Sequence, residues 1–160
     1  MGNNILKVKA IIEKIDKVKY GREGDAGIDL RASGRWIINL DEERKEIQQD
    51  EYEIKPGERI LIKTGVIIAL PKGCYGSIRD RSGLSGKHGL HLLAGVLDET
   101  YRGEIDLVIV NLGTKPYKLT KNEKVGQLIV CEYKIMNIEY VGELDDTIRG
   151  ADGFGSSGRH

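Results

Sequence analysis

The chain alternates apolar with other residues at a period of two through most of its length, and glycine or proline interrupts each short run. One face of these runs carries Leu6, Val8, Ala10 and Ile12; Ile60 and Ile62; Val66, Ile68 and Leu70; Ile105, Leu107 and Ile109; and Val125, Gln127, Ile129 and Cys131. Period-two alternation in short β-branched segments is typical of strands. The sequence therefore predicts an all-β barrel or sandwich.

Residues 41–50 are the exception to this pattern. They are charged and contain one apolar residue, Ile47, which favours a solvent-exposed segment of one or two helical turns. The chain shows no internal repeat and no second domain. Its 160 residues therefore predict one β domain over 1–148, followed by a mobile arm over 149–160.

The composition restricts the partners of this domain. Its 25 basic and 25 acidic residues cancel, which argues against broad contact with nucleic acid or a membrane. No apolar run approaches the length needed to span a bilayer and the N-terminus lacks a signal-peptide pattern, so we expect an intracellular protein, cytoplasmic or nuclear according to the host. Cys74 and Cys131 lack metal-ligand spacing and are predicted to be buried thiols in a reducing compartment.

Residues 79–89 form a glycine-rich loop with basic and hydroxyl side chains. Within it, Arg81, Ser82 and Gly83 are consecutive, so a guanidinium, a hydroxyl and backbone N–H groups could surround phosphate oxygens. The alternative is an ordinary charged surface turn.

Residues 94–105 contain two apolar runs that flank a turn with Asp98, Glu99 and Tyr101. The pattern predicts a β-hairpin, whose backbone groups suit recognition of a base edge. Asp98 is a candidate general base, and the Tyr101 ring is a candidate surface on which part of a ligand could stack. The alternative is a turn aspartate that bonds its own backbone, beside a half-buried tyrosine.

Two further polar residues stand inside apolar runs. Asp29 forms either a structural salt bridge or a contact with water and metal, because a buried acid needs a partner. Gln127 is either a satisfied core amide or a phosphate donor.

Phe154 is the only phenylalanine and lies in a tail rich in glycine and serine. Either this tail docks on a domain surface, or it closes over a ligand with Phe154 stacked on a flat ring. Arg149 favours the second interpretation, since guanidinium suits phosphate oxygens.

Five segments in order, AGIDL, PKGCYG with RSGL and KHG, AGVLDETYRGEI, VGQLI and RGADGFGSSG, resemble the five motifs of the trimeric dUTPases (deoxyuridine triphosphate nucleotidohydrolases) over residues 26–158. The resemblance implies a jelly-roll-like β fold and a homotrimer whose active sites each draw on three subunits. It also implies hydrolysis of dUTP to dUMP and pyrophosphate with Mg²⁺, which limits uracil in DNA and supplies dUMP for thymidylate synthesis.

The resemblance assigns a role to each matching residue. Asp98 would activate the attacking water, and Asp29 would approach Mg²⁺ through water. The implied substrate contacts are Arg81, Ser82, Gly83 and Gln127 at the α- and β-phosphates; Gly95, Val96 and Leu97 at uracil; Tyr101 at deoxyribose; Arg149 at the γ-phosphate; Phe154 stacked on uracil; and Gly155, Ser156 and Ser157 on the phosphate side.

Several positions depart from the family pattern. Leu93, Thr100 and Lys124 replace its usual small residue, Asp and Arg, and residues 33–50 form a charged insertion that could contact a protein partner. One alternative function is therefore a nucleotide-controlled binding module. The related dCTP deaminases are a weaker alternative, because Val108 and Gly86 stand where they carry Glu and Arg.

Overall fold

The computed structural model describes residues 5–13, 17–148 and 150. This part of the chain forms twelve strands and one short helix, α1 (Ser82–His88), which lies between β7 and β8. The strands are β1 (Lys7–Ala10), β2 (Ile28–Arg31), β3 (Arg35–Ile38), β4 (Lys45–Gln48), β5 (Glu51–Ile54), β6 (Arg59–Ala69), β7 (Cys74–Arg79), β8 (Leu90–Leu93), β9 (Val96–Leu97), β10 (Glu104–Asn111), β11 (Tyr117–Thr120) and β12 (Lys124–Glu132). The predicted all-β class is confirmed.

The strands form three antiparallel sheets. The largest has the order β4-β3-β6-β10-β8, with β1 paired to the second half of β6. A second sheet has the order β2-β12-β7-β9, and β11 pairs with β5 in a third. The core lies between the sheets, where the inward residues of β6, β10 and β12 meet.

The alternating apolar residues of β6 and β10 face the core, whereas β1 is exposed throughout. Ile105, Leu107 and Ile109 of β10 are all buried, and β6 buries Ile60 and Ile62. In β12 the alternation is interrupted after Val125. A register shift between Lys124 and Gly126 turns Leu128 inward, so Gln127, Ile129 and Cys131 are only half-buried. Cys74 is likewise a half-buried free thiol.

The helical turns predicted within residues 41–50 are wrong, because this segment contains β4. Strand β4 pairs with β3, which in turn pairs with β6. Trp36 of β3 is fully buried, and its indole N–H donates to the carbonyl of Gln49 at 3.0 Å. The charged insertion therefore contributes Trp36 to the core, while β4 exposes its charged side chains.

We predict that Trp36→Ala destabilises the fold by about 3–5 kcal/mol, because it leaves a large cavity and an unpaired carbonyl. Urea unfolding followed by circular dichroism measures the change. Trp36→Phe keeps most of the volume and should cost clearly less. Equal losses in the two variants would contradict a packing role for the indole.

The helix of the described region is too short to cross a membrane. The predicted arm lies outside the described residues apart from Gly150, whose N–H donates to the carbonyl of Thr147 at 2.9 Å.

Candidate active site

The sheet of β2, β12 and β7 opens at one end into a cleft of about 800 Å³, which α1 and the loop before β2 also line. The cleft is rich in charged side chains. Its lining residues are Gly21, Arg22, Asp25, Ala26, Gly27, Asp29, Arg81, Ser82, Gly83, Leu84, Lys87, His88, Glu123, Lys124, Gln127 and Ile129. The structure thus brings together Arg81, Ser82, Gly83 and Gln127, which are predicted to contact phosphate, with Asp29, which is predicted to approach the metal through water.

Asp29 forms a salt bridge in this cleft. One carboxylate oxygen pairs with the guanidinium of Arg81, and the other lies 2.6 Å from Nζ of Lys124. The Asp29 side chain is only 11% exposed, so the two cations offset the cost of burying its charge. Asp29 therefore fixes Arg81 and Lys124 at the wall of the cleft.

Gln127 also has a defined orientation. Its Nε2 donates to the carbonyl of Asp80 at 2.8 Å, which ties β12 to the residue before Arg81. A Cβ on Gly27 would lie 2.2 Å from the Gln127 amide oxygen, so a larger residue there would require the Gln127 side chain to move. Gln127 is both a satisfied amide and a residue of the cleft.

A second, smaller cavity of about 120 Å³ lies beyond Ile78 of β7 and contains the predicted uracil-reading segment. It is lined by Ile78, Leu92, Leu93, Ala94, Gly95, Val96, Leu97, Asp106, Leu107 and Val108. Gly95 has φ of 131°, and a Cβ there would lie 2.8 Å from the carbonyl oxygen of Ile78. The site therefore requires glycine at this position.

The hairpin predicted over residues 94–105 is wrong in its pairing. Strand β10 pairs with β8, whereas β9 leaves that sheet and pairs with Gly76 and Ser77 of β7. Positive φ angles at Ala94 and Gly95 turn the chain from one sheet to the other. The carbonyl of Gly95 accepts from Ile78 N–H at 2.7 Å.

Asp98 and Tyr101 follow β9 in an exposed turn. The N–H of Tyr101 donates to the carbonyl of Asp98 at 3.0 Å, and the Tyr101 hydroxyl donates to the carbonyl of Glu104 at 2.8 Å. The tyrosine ring lies over Gly103, where no Cβ would fit. Neither Asp98 nor Tyr101 lines the charged cleft or the cavity beyond Ile78.

Five predicted site residues, Arg149, Phe154, Gly155, Ser156 and Ser157, lie outside the described residues. Conversely, the structure adds residues to the cleft that sequence reasoning missed. Arg22 and Asp25 belong to a loop before β2, and Lys87 and His88 end α1. In the sequence, only the basic KHG segment indicated that Lys87 and His88 could belong to the site.

Arg22, Arg81, Lys87 and Lys124 all line the cleft. Residues 46–158 match the family model described as dUTPase. This match covers more than half of the chain. The chain belongs to the dUTPase family, which confirms the resemblance seen in its five motifs.

Curated relatives extend the similarity to nearly the whole chain. The chain is 38% identical to a deoxyuridine 5'-triphosphate nucleotidohydrolase of Clostridium novyi, over 94% of this chain and 99% of the relative. It is 44% identical to the mitochondrial human protein of that name, over 69% of this chain and 44% of the relative.

Solved structures share the fold. A dUTPase of Staphylococcus bacteriophage 80alpha with dUPNHPP is 24% identical, covers 98% of this chain and 99% of its own, and superposes with a TM-score of 0.78. A second, from phage phi11 of S. aureus, is 20% identical, with a TM-score of 0.73, 90% coverage of this chain and 100% of its own.

Proposed function

We propose that this chain hydrolyses dUTP to dUMP and pyrophosphate. The observation that carries the proposal is the gathering of Arg81, Ser82, Gly83 and Gln127 in one cleft, with Arg81 held by Asp29. The family membership and the names of the curated relatives support the same substrate.

The cleft is suited to the triphosphate end of the substrate. Arg81 offers a guanidinium that can bind two phosphate oxygens, and Ser82 adds a hydroxyl. The triphosphate carries about four negative charges, which Arg22, Lys87 and Lys124 of the same cleft would help to offset. Because Asp29 already holds Arg81 and Lys124 in place, little ordering is required when the substrate binds.

We propose Mg²⁺ as the cofactor, held mainly by the substrate phosphates. The described residues contain no group of three or more His, Cys, Asp and Glu placed to hold a metal ion. Both oxygens of Asp29 already contact cations, so the carboxylates of the cleft fit a Mg²⁺ that keeps its waters. When bound, the ion would neutralise phosphate charge during the reaction. A phage phi11 dUTPase variant is described with a structural Mg(II) ion.

Asp98 is the proposed general base. Its carboxylate would take a proton from water as the water oxygen bonds to the α-phosphorus. The bond from this phosphorus to the bridging oxygen then breaks, and pyrophosphate leaves with the electron pair. The backbone of Gly95, Val96 and Leu97 would read uracil, and the Tyr101 ring would exclude a 2′-hydroxyl.

We propose a homotrimer, because one subunit keeps the phosphate cleft and the Asp98 turn in separate places. Two apolar surfaces, the first partly exposed and the second largely exposed, support subunit contacts. Ile37, Leu61, Val108 and Leu93 lie side by side across the outer face of β3, β6, β10 and β8. After β12, the chain exposes Ile135, Met136, Ile138, Tyr140 and Leu144 by 73–97%. Contiguous apolar surface of this kind marks an interface.

Pyrophosphate release from a panel of deoxynucleoside triphosphates with Mg²⁺ tests the activity. We expect release from dUTP and little from dTTP or dCTP. Ammonia release from dCTP would instead indicate a deaminase. Binding of dUTP without turnover would favour the nucleotide-controlled binding module, whose partner surface on residues 33–50 stays a prediction.

Sedimentation equilibrium tests the assembly. The expected mass is three times that of the chain, at concentrations where the enzyme is active. A fully active monomer would exclude shared active sites.

A further inference from the structure

The turn that carries Asp98 is attached to the rest of the domain by its neighbour, Glu99. One oxygen of the half-buried Glu99 carboxylate accepts from the N–H of Gly73 at 2.7 Å and from the hydroxyl of Tyr133 at 3.2 Å. The N–H of Tyr133 in turn donates to the carbonyl of Gly73 at 3.1 Å. These contacts close a small network of hydrogen bonds.

The network joins three segments that are remote in sequence. Gly73 belongs to the turn between β6 and β7, and Tyr133 directly follows β12, where the C-terminal segment leaves the sheet. The two contacts of the Glu99 side chain span 26 and 34 residues. Arg102 closes the same turn from the other side, where its guanidinium donates to the carbonyls of Glu99 and Tyr101, both at 2.7 Å.

The same combination of contacts occurs elsewhere in the fold, but only locally. Glu58 accepts from the N–H of Lys55 at 2.7 Å and from the hydroxyl of Tyr52. Glu123 accepts from the N–H of Thr120 at 2.9 Å and from the hydroxyl of Tyr117 at 2.6 Å. Each of these carboxylates closes the turn in which it lies, whereas Glu99 ties its turn to other parts of the chain.

We propose that Glu99 is a positioning residue for Asp98, holding the catalytic turn against the base of the C-terminal segment. This inference rests on the proposed function. The contacts require an acceptor oxygen rather than a negative charge, since both donors are neutral groups. The turn is otherwise exposed, so loss of the carboxylate would release the turn that carries Asp98.

The electrostatics of Tyr133 agree with this geometry. Desolvation, followed by the charge of the nearby Glu99 carboxylate, raises the pKa of Tyr133, although this residue is 39% exposed. The shift agrees with the hydrogen bond in which the Tyr133 hydroxyl donates to Glu99.

The test compares kcat and KM for dUTP in Glu99→Ala, Glu99→Gln, Tyr133→Phe and Glu58→Ala. We expect Glu99→Ala to lower kcat by about tenfold to a hundredfold while KM changes by less than about threefold, because a displaced base slows chemistry more than binding. Glu99→Gln keeps the acceptor oxygen and should stay close to wild type. Tyr133→Phe removes one donor and should lower kcat by about threefold or more.

Glu58→Ala is the matched control, because it removes the same pair of contacts from a turn that lines neither cavity. It should lower the thermal midpoint and leave kcat unchanged. The inference is overturned if Glu99→Ala keeps the wild-type kcat. It is also overturned if either Glu99→Gln or Glu58→Ala lowers kcat as much as Glu99→Ala does. If Glu99→Ala does not fold, an unchanged kcat in Tyr133→Phe overturns it. If the wild-type protein released no pyrophosphate from dUTP, the proposed function would be overturned, and the positioning role of Glu99 would be overturned with it.

Discussion

Asp98→Asn is expected to abolish dUTP hydrolysis while dUTP still binds. The amide keeps the shape of the side chain but cannot take a proton from water, and loss of a general base costs about a hundredfold to ten-thousandfold in rate. The backbone contact between Asp98 and Tyr101 and the hydrogen bonds of Glu99 do not involve the Asp98 side chain, so the substitution leaves them intact. Pyrophosphate release measures kcat, and isothermal titration measures dUTP affinity.

Asp50→Asn provides the control for this variant. The Asp50 side chain is 84% exposed and pairs only with Lys121, at 3.4 Å, so the same chemical change there should leave kcat unaltered. Turnover of Asp98→Asn at the wild-type rate would exclude Asp98 as the base. If Asp98→Asn lost dUTP affinity as well as turnover, Asp98 would instead act in substrate binding.

Deletion of residues 150–160 is expected to leave a folded protein that hydrolyses dUTP very poorly. The buried core of the described chain lies between Ile28 and Leu128, so the truncation removes none of it. By resemblance, however, the deleted segment carries Phe154, Gly155, Ser156 and Ser157, which would close the site and exclude water. Thermal midpoint and activity are measured side by side for the wild type and the truncated chain.

Phe154→Ala should show a smaller version of the same loss, since stacking on a base contributes about 1–3 kcal/mol. A truncated protein that unfolds at a much lower temperature would make the segment structural. Full activity after truncation would show that the fifth motif has no catalytic role in this chain.

The charged insertion shows why one strand could not be predicted. Strand β4 buries only part of Ile47, because it lies at the edge of its sheet and its other side chains face solvent. An edge strand of this kind has no period-two apolar pattern to detect. Its neighbour β3 carries Trp36, yet the burial of that indole depends on pairing with β6, which no local pattern reveals.

The turn after β8 shows a different limit. Adjacent apolar runs favour a hairpin, and the apolar residues of β9 fit such a local pattern. The positive φ at Ala94 and Gly95 instead directs β9 to β7. The backbone conformation of Ala94 and Gly95 therefore determines which sheet β9, the strand before Asp98, joins.

The sequence alone determined the β class, the inward face of β10 and the residue types of the phosphate loop, because alternation and motif spacing are local properties of a chain. Tertiary structure decided how those residues act. Asp29 lies 52 residues from the arginine it holds, and Glu99 reaches contacts across 26 and 34 residues. Partners so distant in sequence meet only when the sheets pack, since their pairing depends on strand order and register rather than on the residues nearby.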